Sequence, residues 1–267
     1  MQEILSLLSG GLIGGFIGAF LGGFAKFFWE NWLPGRLTWR REQQVEREKL
    51  LSQVRAPAIR AVSDLQGRIY SILKNDSYAY LKSIKNEDYY ITSTAFLLAA
   101  MFAWNEILRQ KVGALDYAEL VRKLGDVTRS FSRGQRGFQI FYLEQREIGE
   151  RMLMASTNTE QLSVSYTGFL ETLKSQKAPA CYKELAHKAQ YLLENPLKEM
   201  VRLIMIQHAL IDLIDFIDPH SRWVLENERQ KIDVSEYLRQ LLDAKKISVQ
   251  RYAALEAAAR ETGLLAD

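Results

Sequence analysis

The sequence predicts an all-α protein: one N-terminal transmembrane helix followed by an irregular multi-helix cytoplasmic bundle. Three observations predict it. Residues Ile4 to Ala25 form twenty-two consecutive positions without a charge. From Leu51 onward, apolar residues recur every three or four positions in most segments, the period of a core-facing helix. The strongest strand candidate, Phe138 to Tyr142, is flanked by Gly134 and Gly137. One strand cannot make a sheet, so this run reads as an extended linker or helix lead-in.

Composition excludes several classes. The chain has 267 residues, 48% hydrophobic and 25% charged, the make-up of an ordinary folded protein. Its 35 basic and 32 acidic side chains leave a net charge of +3, without the positive excess that sequence-independent nucleic-acid binding needs, and no nucleic-acid partner is expected. The single cysteine, Cys181, excludes an internal disulfide and any cysteine-built zinc site.

Taken in order, residues 1–33 read as the membrane anchor. As a helix, the uncharged stretch would extend roughly 33 Å, enough to cross a hydrocarbon core of about 30 Å. A cleavable signal peptide would need a basic region ahead of it, and the only charge there is Glu3. Lys26, Phe27, Phe28, Trp29 and Trp32 follow, an aromatic cluster suited to the headgroup level. Pro34 and Gly35 are expected to break the helix. Lys26, Arg36, Arg40 and Arg41 all lie after the span, which predicts an inner-membrane protein with its N-terminus outside and its body in the cytoplasm.

Within the span, residues 10 to 25 read GGLI, GGFI, GAFL, GGFA. A helix with that period carries two adjacent small-residue stripes, Gly10, Gly14, Gly18 and Gly22 beside Gly11, Gly15, Ala19 and Gly23. Small residues let helices in lipid approach backbone to backbone. The span resembles the glycine zippers of membrane-protein oligomers, which implies self-association. Two stripes offer more surface than a dimer seam requires, and head-to-tail contacts close into rings, so the expected partner is the protein itself in an assembly larger than a dimer.

Residues 34–56 form a charged juxtamembrane segment, read as a solvated helix whose Arg36, Arg40 and Arg41 can also touch lipid headgroups. Residues 57–267 form the helical body. Leu51, Val54, Ala58, Ala61, Leu65, Ile69 and Ile72 predict a helix ending near Asn75, with Pro57 as a kink or boundary. A second helix is expected from about Asp88 to Val112. Its uncharged part, Tyr89 to Trp104, is short for a span and favours a buried central helix over a second membrane pass. Further periods predict helices over 116–131, 143–155, 166–175, 180–194 and 197–217. Asp233 with Glu236 has capping-box spacing, and Ser248 precedes an alanine-rich run to Gly263.

Three polar clusters interrupt the apolar pattern: Asp64, Gln66 and Arg68; Glu106 and Arg109; and Glu144, Gln145, Arg146 and Glu150. Their stretches, DLQGR, FAWNEILR and EQREIGE, resemble patterns in an uncharacterised group of bacterial membrane-anchored helical proteins, a resemblance that implies no activity. Spacing allows Glu106 to meet Arg109, and Arg146 to meet Glu150, on one helix face. Asp64, Arg68, Glu106, Arg109, Arg146 and Glu150 are therefore either a structural ion-pair network or a pocket for a small anionic ligand. His208, Asp212 and Asp215, with Asp218 and His220 beyond, have spacing that permits a metal, though an amphipathic polar face is the commoner arrangement.

Phosphate loops, GxSxG, HExxH and paired cysteines are absent, and no cofactor is expected. The leading reading is a self-associating membrane scaffold whose body serves as an interaction platform, with a possible protein partner. The alternatives are an oligomeric pore or membrane-disrupting effector and, third, a membrane-bound enzyme using the buried clusters.

Overall fold

A computed structural model describes residues 33–75, 82, 85–113, 118–133, 137–154 and 163–265. Among the described residues the protein is all-helical, with nine α-helices and no strand. The chain divides into two compact units, residues 1–51 and 52–267. The stretch Ile4–Ala25 and its glycine stripes lie outside the described residues.

Helix α1 runs over Leu33–Lys74. Two expected interruptions are corrected here. Pro34 and Gly35 are themselves helical, in the first described turn, where a missing proline N–H costs little if a helix begins there. Pro57 neither ends the helix nor bounds it; it lies exposed inside α1. Val54, Ala58, Ala61, Leu65, Ile69 and Ile72 are buried on either side of it, and their packing outweighs the local penalty.

Helix α2 (Glu87–Gly113) packs against α3 (Ala118–Ser132), α4 (Tyr142–Met154), α5 (Tyr166–Lys174) and α6 (Ala180–Glu194). Its stretch Glu87–Gln110 is long and apolar enough to cross a membrane by length and composition, and it is largely buried within the body. Gly149 explains how close α4 comes: a Cβ there would lie 2.6 Å from the Phe102 carbonyl oxygen of α2. Helix α7 (Met200–Ile217) is apolar on most of its circumference and packs on α3. Helices α8 (Val234–Asp243) and α9 (Val249–Glu261) pair with each other, and α9 also touches α7. Both N-caps form, with Glu236 N donating to Asp233 at 2.9 Å and Arg251 N donating to Ser248 at 3.2 Å, but the capping box at Asp233 is only half made, since the Glu236 carboxylate accepts from Gln240 instead.

The 138–142 run leads irregularly into α4, with Tyr142 as its first helical residue. This connector is held by a pair the sequence does not announce. Glu199 and Arg202, both buried, form an ion pair at 3.1 Å. Phe138 N donates to Glu199 Oε1 at 3.2 Å, while Arg202 donates to the Phe138 carbonyl. Gly137, with φ of 145°, sits against the same carboxylate, where a Cβ would collide with Glu199 Oε1 at 2.1 Å.

Candidate functional site

Helices α2, α3 and α4 enclose an open cavity of about 370 Å³, near the lower end of the range for small-molecule sites. Phe102, Val121, Leu124 and Tyr142 supply apolar wall, and Arg109, Arg129 and Arg146 bring three guanidiniums to it against the single carboxylate of Glu106. The polar clusters FAWNEILR and EQREIGE, far apart in sequence, thus meet in space.

Glu106 is nearly inaccessible and fully engaged. Arg109 grips it in a fork, Nε to Oε2 at 2.8 Å and one terminal nitrogen to Oε1 at 2.5 Å, and Gln110 donates to Oε1 at 2.6 Å. Burial pushes the Glu106 carboxyl up, but the donors Arg109 and Gln110 outweigh it and hold it below the usual carboxylate range. Arg146 Nε donates to Glu150 at 2.8 Å, which raises its already high value, while the nearby Arg109 charge opposes that rise. Arg129 pairs with Asp126 at 2.5 Å and folds over Gly125.

These pairings leave donors unused, because one terminal nitrogen of Arg109 and both terminal nitrogens of Arg146 have no partner among the described residues. A polar relay joins the three helices. Asn105 donates to the Thr128 hydroxyl at 2.9 Å, and Gln145 Nε2 donates to the carbonyls of Thr128 at 3.0 Å and Ile140 at 2.8 Å. Two carbonyls fix the orientation of that amide, since only its nitrogen can donate to them. Its oxygen, Gln145 Oε1, is then buried with no donor among the described residues. The site therefore combines an apolar wall, spare guanidinium donors and one orphaned acceptor.

The other expected site residues lie elsewhere. Asp64 and Arg68 do not join this cavity or pair with each other. Asp64 is exposed beside Gln66 and Tyr70, and partial burial pushes its carboxyl up against the lowering effect of Arg60. Arg68 turns to α2, donating to Ser93 at 3.1 Å and Thr94 at 2.8 Å and lying 4.0 Å over the Tyr90 ring. Burial lowers its value, against the opposing effect of Tyr90.

His208, Asp212 and Asp215 are not brought together as a group placed to hold a metal among the described residues. Each of the three engages the segment after α7. His208 Nε2 donates to the Ile232 carbonyl at 3.0 Å, Lys231 pairs with Asp212 at 2.7 Å, and Arg229 pairs with Asp215 at 3.2 Å. Asp218, beyond them, is a buried cap that accepts from the N–H groups of Arg222, Trp223 and Val224 and pairs with Arg229 at 2.5 Å.

Sequence reasoning missed Arg129, Gln145's orphaned oxygen and the Glu199–Arg202 pair. Arg129 carries no signal of its own, since Asp126 three residues earlier makes it look like a solvated surface pair. The membrane-interface residues Lys26, Trp29 and Trp32, and the oligomerisation residues Gly10 to Gly23, lie outside the described residues. Arg36, Arg40 and Arg41 fall on the α1 backbone, and their side chains lie outside the described set. No family model matches the chain, no curated protein matches it, and no solved structure matches it.

Proposed function

We propose that the protein is a single-pass membrane-anchored scaffold that self-associates through its glycine-rich span and presents the helical body, in the cytoplasm, as an interaction platform. The observation that carries this reading is the uncharged run Ile4 to Ala25 with its four tetrads that each open on two small residues followed by a bulky one. Seven glycines in fourteen positions are costly in a water-exposed helix, at about 1 kcal/mol each relative to alanine, whereas in lipid they give close backbone contact. The charges after the span support a cytoplasmic body.

On the body, Phe141, Tyr142 and Leu143 are three consecutive exposed apolar side chains at the start of α4, which supports a contact role. Clustering through the span would raise the effective concentration of such surfaces and turn weak contacts into avid ones.

Oligomeric mass in detergent tests the reading. Full-length protein is expected as an assembly larger than a dimer, and Gly14→Leu with Gly18→Leu is expected to reduce it to monomer. A wild-type monomer, a freely water-soluble product, or an assembly indifferent to the double substitution overturns it.

A further inference from the structure

We infer that the cavity between α2, α3 and α4 is a binding site for a phosphate monoester bearing an apolar ring or chain. The inference goes beyond the scaffold reading and does not depend on it.

Charge selects the anion. Three guanidiniums face the cavity against one carboxylate, and that carboxylate is already held by three donors from Arg109 and Gln110. Arg129 and Arg146 also pair with Asp126 and Glu150 just outside the lining, so the roughly −1.5 to −2 charge of a phosphate monoester near neutral pH is met by guanidinium edges that keep free N–H groups, not by a net charge excess. Arg146 spends only Nε on Glu150, and Arg109 spends Nε and one terminal nitrogen on Glu106. The remaining N–H groups suit phosphate oxygens, which guanidiniums bind with planar, paired donors. The Arg109 charge opposes protonation of Arg146, and an anion bound beside both relieves that repulsion.

Two further features narrow the class. Gln145 Oε1 is a buried acceptor without a donor, in a residue only 3% exposed that lines the cavity. An unpaired buried acceptor is unfavourable, and because this oxygen has no exposed surface of its own, a P–OH or hydroxyl on the ligand reaches it only if the Gln145 amide shifts toward the cavity. The apolar wall of Phe102, Val121, Leu124 and Tyr142 gives a bare inorganic anion nothing to cover. A ring or short chain would bury that wall, and Val121 and Tyr142, both about half exposed, would gain most. The phosphate can come from a soluble ester or from a lipid headgroup with its chain lying along Tyr142.

The test is titration calorimetry on the full chain in neutral detergent at about pH 6, where a phosphate monoester retains part of its P–OH. The probes are phenyl phosphate, inorganic phosphate, and phosphatidic acid added to the micelles. Saturable binding of phenyl phosphate is expected, at least tenfold tighter than inorganic phosphate. Arg129→Gln and Arg146→Gln lose only exposed pairs with Asp126 and Glu150, so both should melt like wild type while each weakens binding by about tenfold, a step of about 1.4 kcal/mol. Displacement of phenyl phosphate by phosphatidic acid, but not by phosphatidylcholine, would support the inference with a lipid source. Binding of phenyl phosphate without such displacement would support it with a soluble one. The inference is overturned if neither phenyl phosphate nor phosphatidic acid binds saturably, if inorganic phosphate binds as tightly, or if both folded variants bind like wild type.

Discussion

Gly67 and Gly149 each sit in a helix within one of the polar motifs, yet their surroundings differ. A Cβ on Gly67 would meet nothing within 4 Å, whereas one on Gly149 would press into the Phe102 backbone. Gly67→Ala should therefore raise stability by about 1 kcal/mol, the helix-propensity difference. Gly149→Ala should lower it by about 3 kcal/mol, because two backbones must separate and no side chain can give way. Urea unfolding of both variants checks this, and a Gly149→Ala midpoint equal to wild type would refute the close approach of α2 and α4. Nothing local to GERM or QGRI separates the two glycines. The difference arises only when α4 meets α2.

At the scale of the element, α1 shows how far a local rule reaches. Proline in a helix interior removes one hydrogen bond and costs about 3 kcal/mol relative to alanine, yet α1 continues through Pro57 because apolar residues on both sides are buried. Pro57→Ala should then gain about 2 kcal/mol, the helical gain less the entropy that proline removes from the unfolded chain. A rise in thermal midpoint is expected, and a fall would mean that the ring itself is packed. The remaining helices were legible because periodicity is a local property. Residues 180–194 coincide with α6 in both bounds, and the Asp233 and Ser248 caps were readable from side-chain chemistry at fixed offsets. Helix α7 begins at Met200 rather than at the expected Leu197, since residues 196–198 form a turn that apolar content alone does not reveal.

Across the whole molecule, acid should act through His208, midway along α7, and through two depressed carboxyls, Asp218 at the end of α7 and Glu106 on α2. His208 is depressed chiefly by burial, with the Lys231 charge adding to that and its bond to Ile232 opposing it. Asp218 is pushed up by burial, yet the backbone donors of Arg222, Trp223 and Val224, with Arg229, bring it below the usual range. A depressed group contributes stability above its unfolded value and loses it as pH falls through the folded one. Stability should thus decline in two steps, first below about pH 6.5 and again below about pH 3.9, the unfolded values of histidine and aspartate. Urea midpoints across pH should lose the upper step in His208→Gln and show a smaller lower one in Asp218→Asn, with Glu106 supplying the rest; an unaltered profile in both variants would contradict the assignment. The cavity was legible in halves: Glu106 with Arg109 and Arg146 with Glu150 follow from helical spacing, but their meeting with Arg129 depends on how three helices pack. The Glu199–Arg202 pair has a consequence for that cavity. By fastening Phe138 to α7, it sets the connector between the two helices that face α2, so a guest finds the walls already in position. Little ordering should accompany its entry, and more of the contact energy is left to appear as affinity.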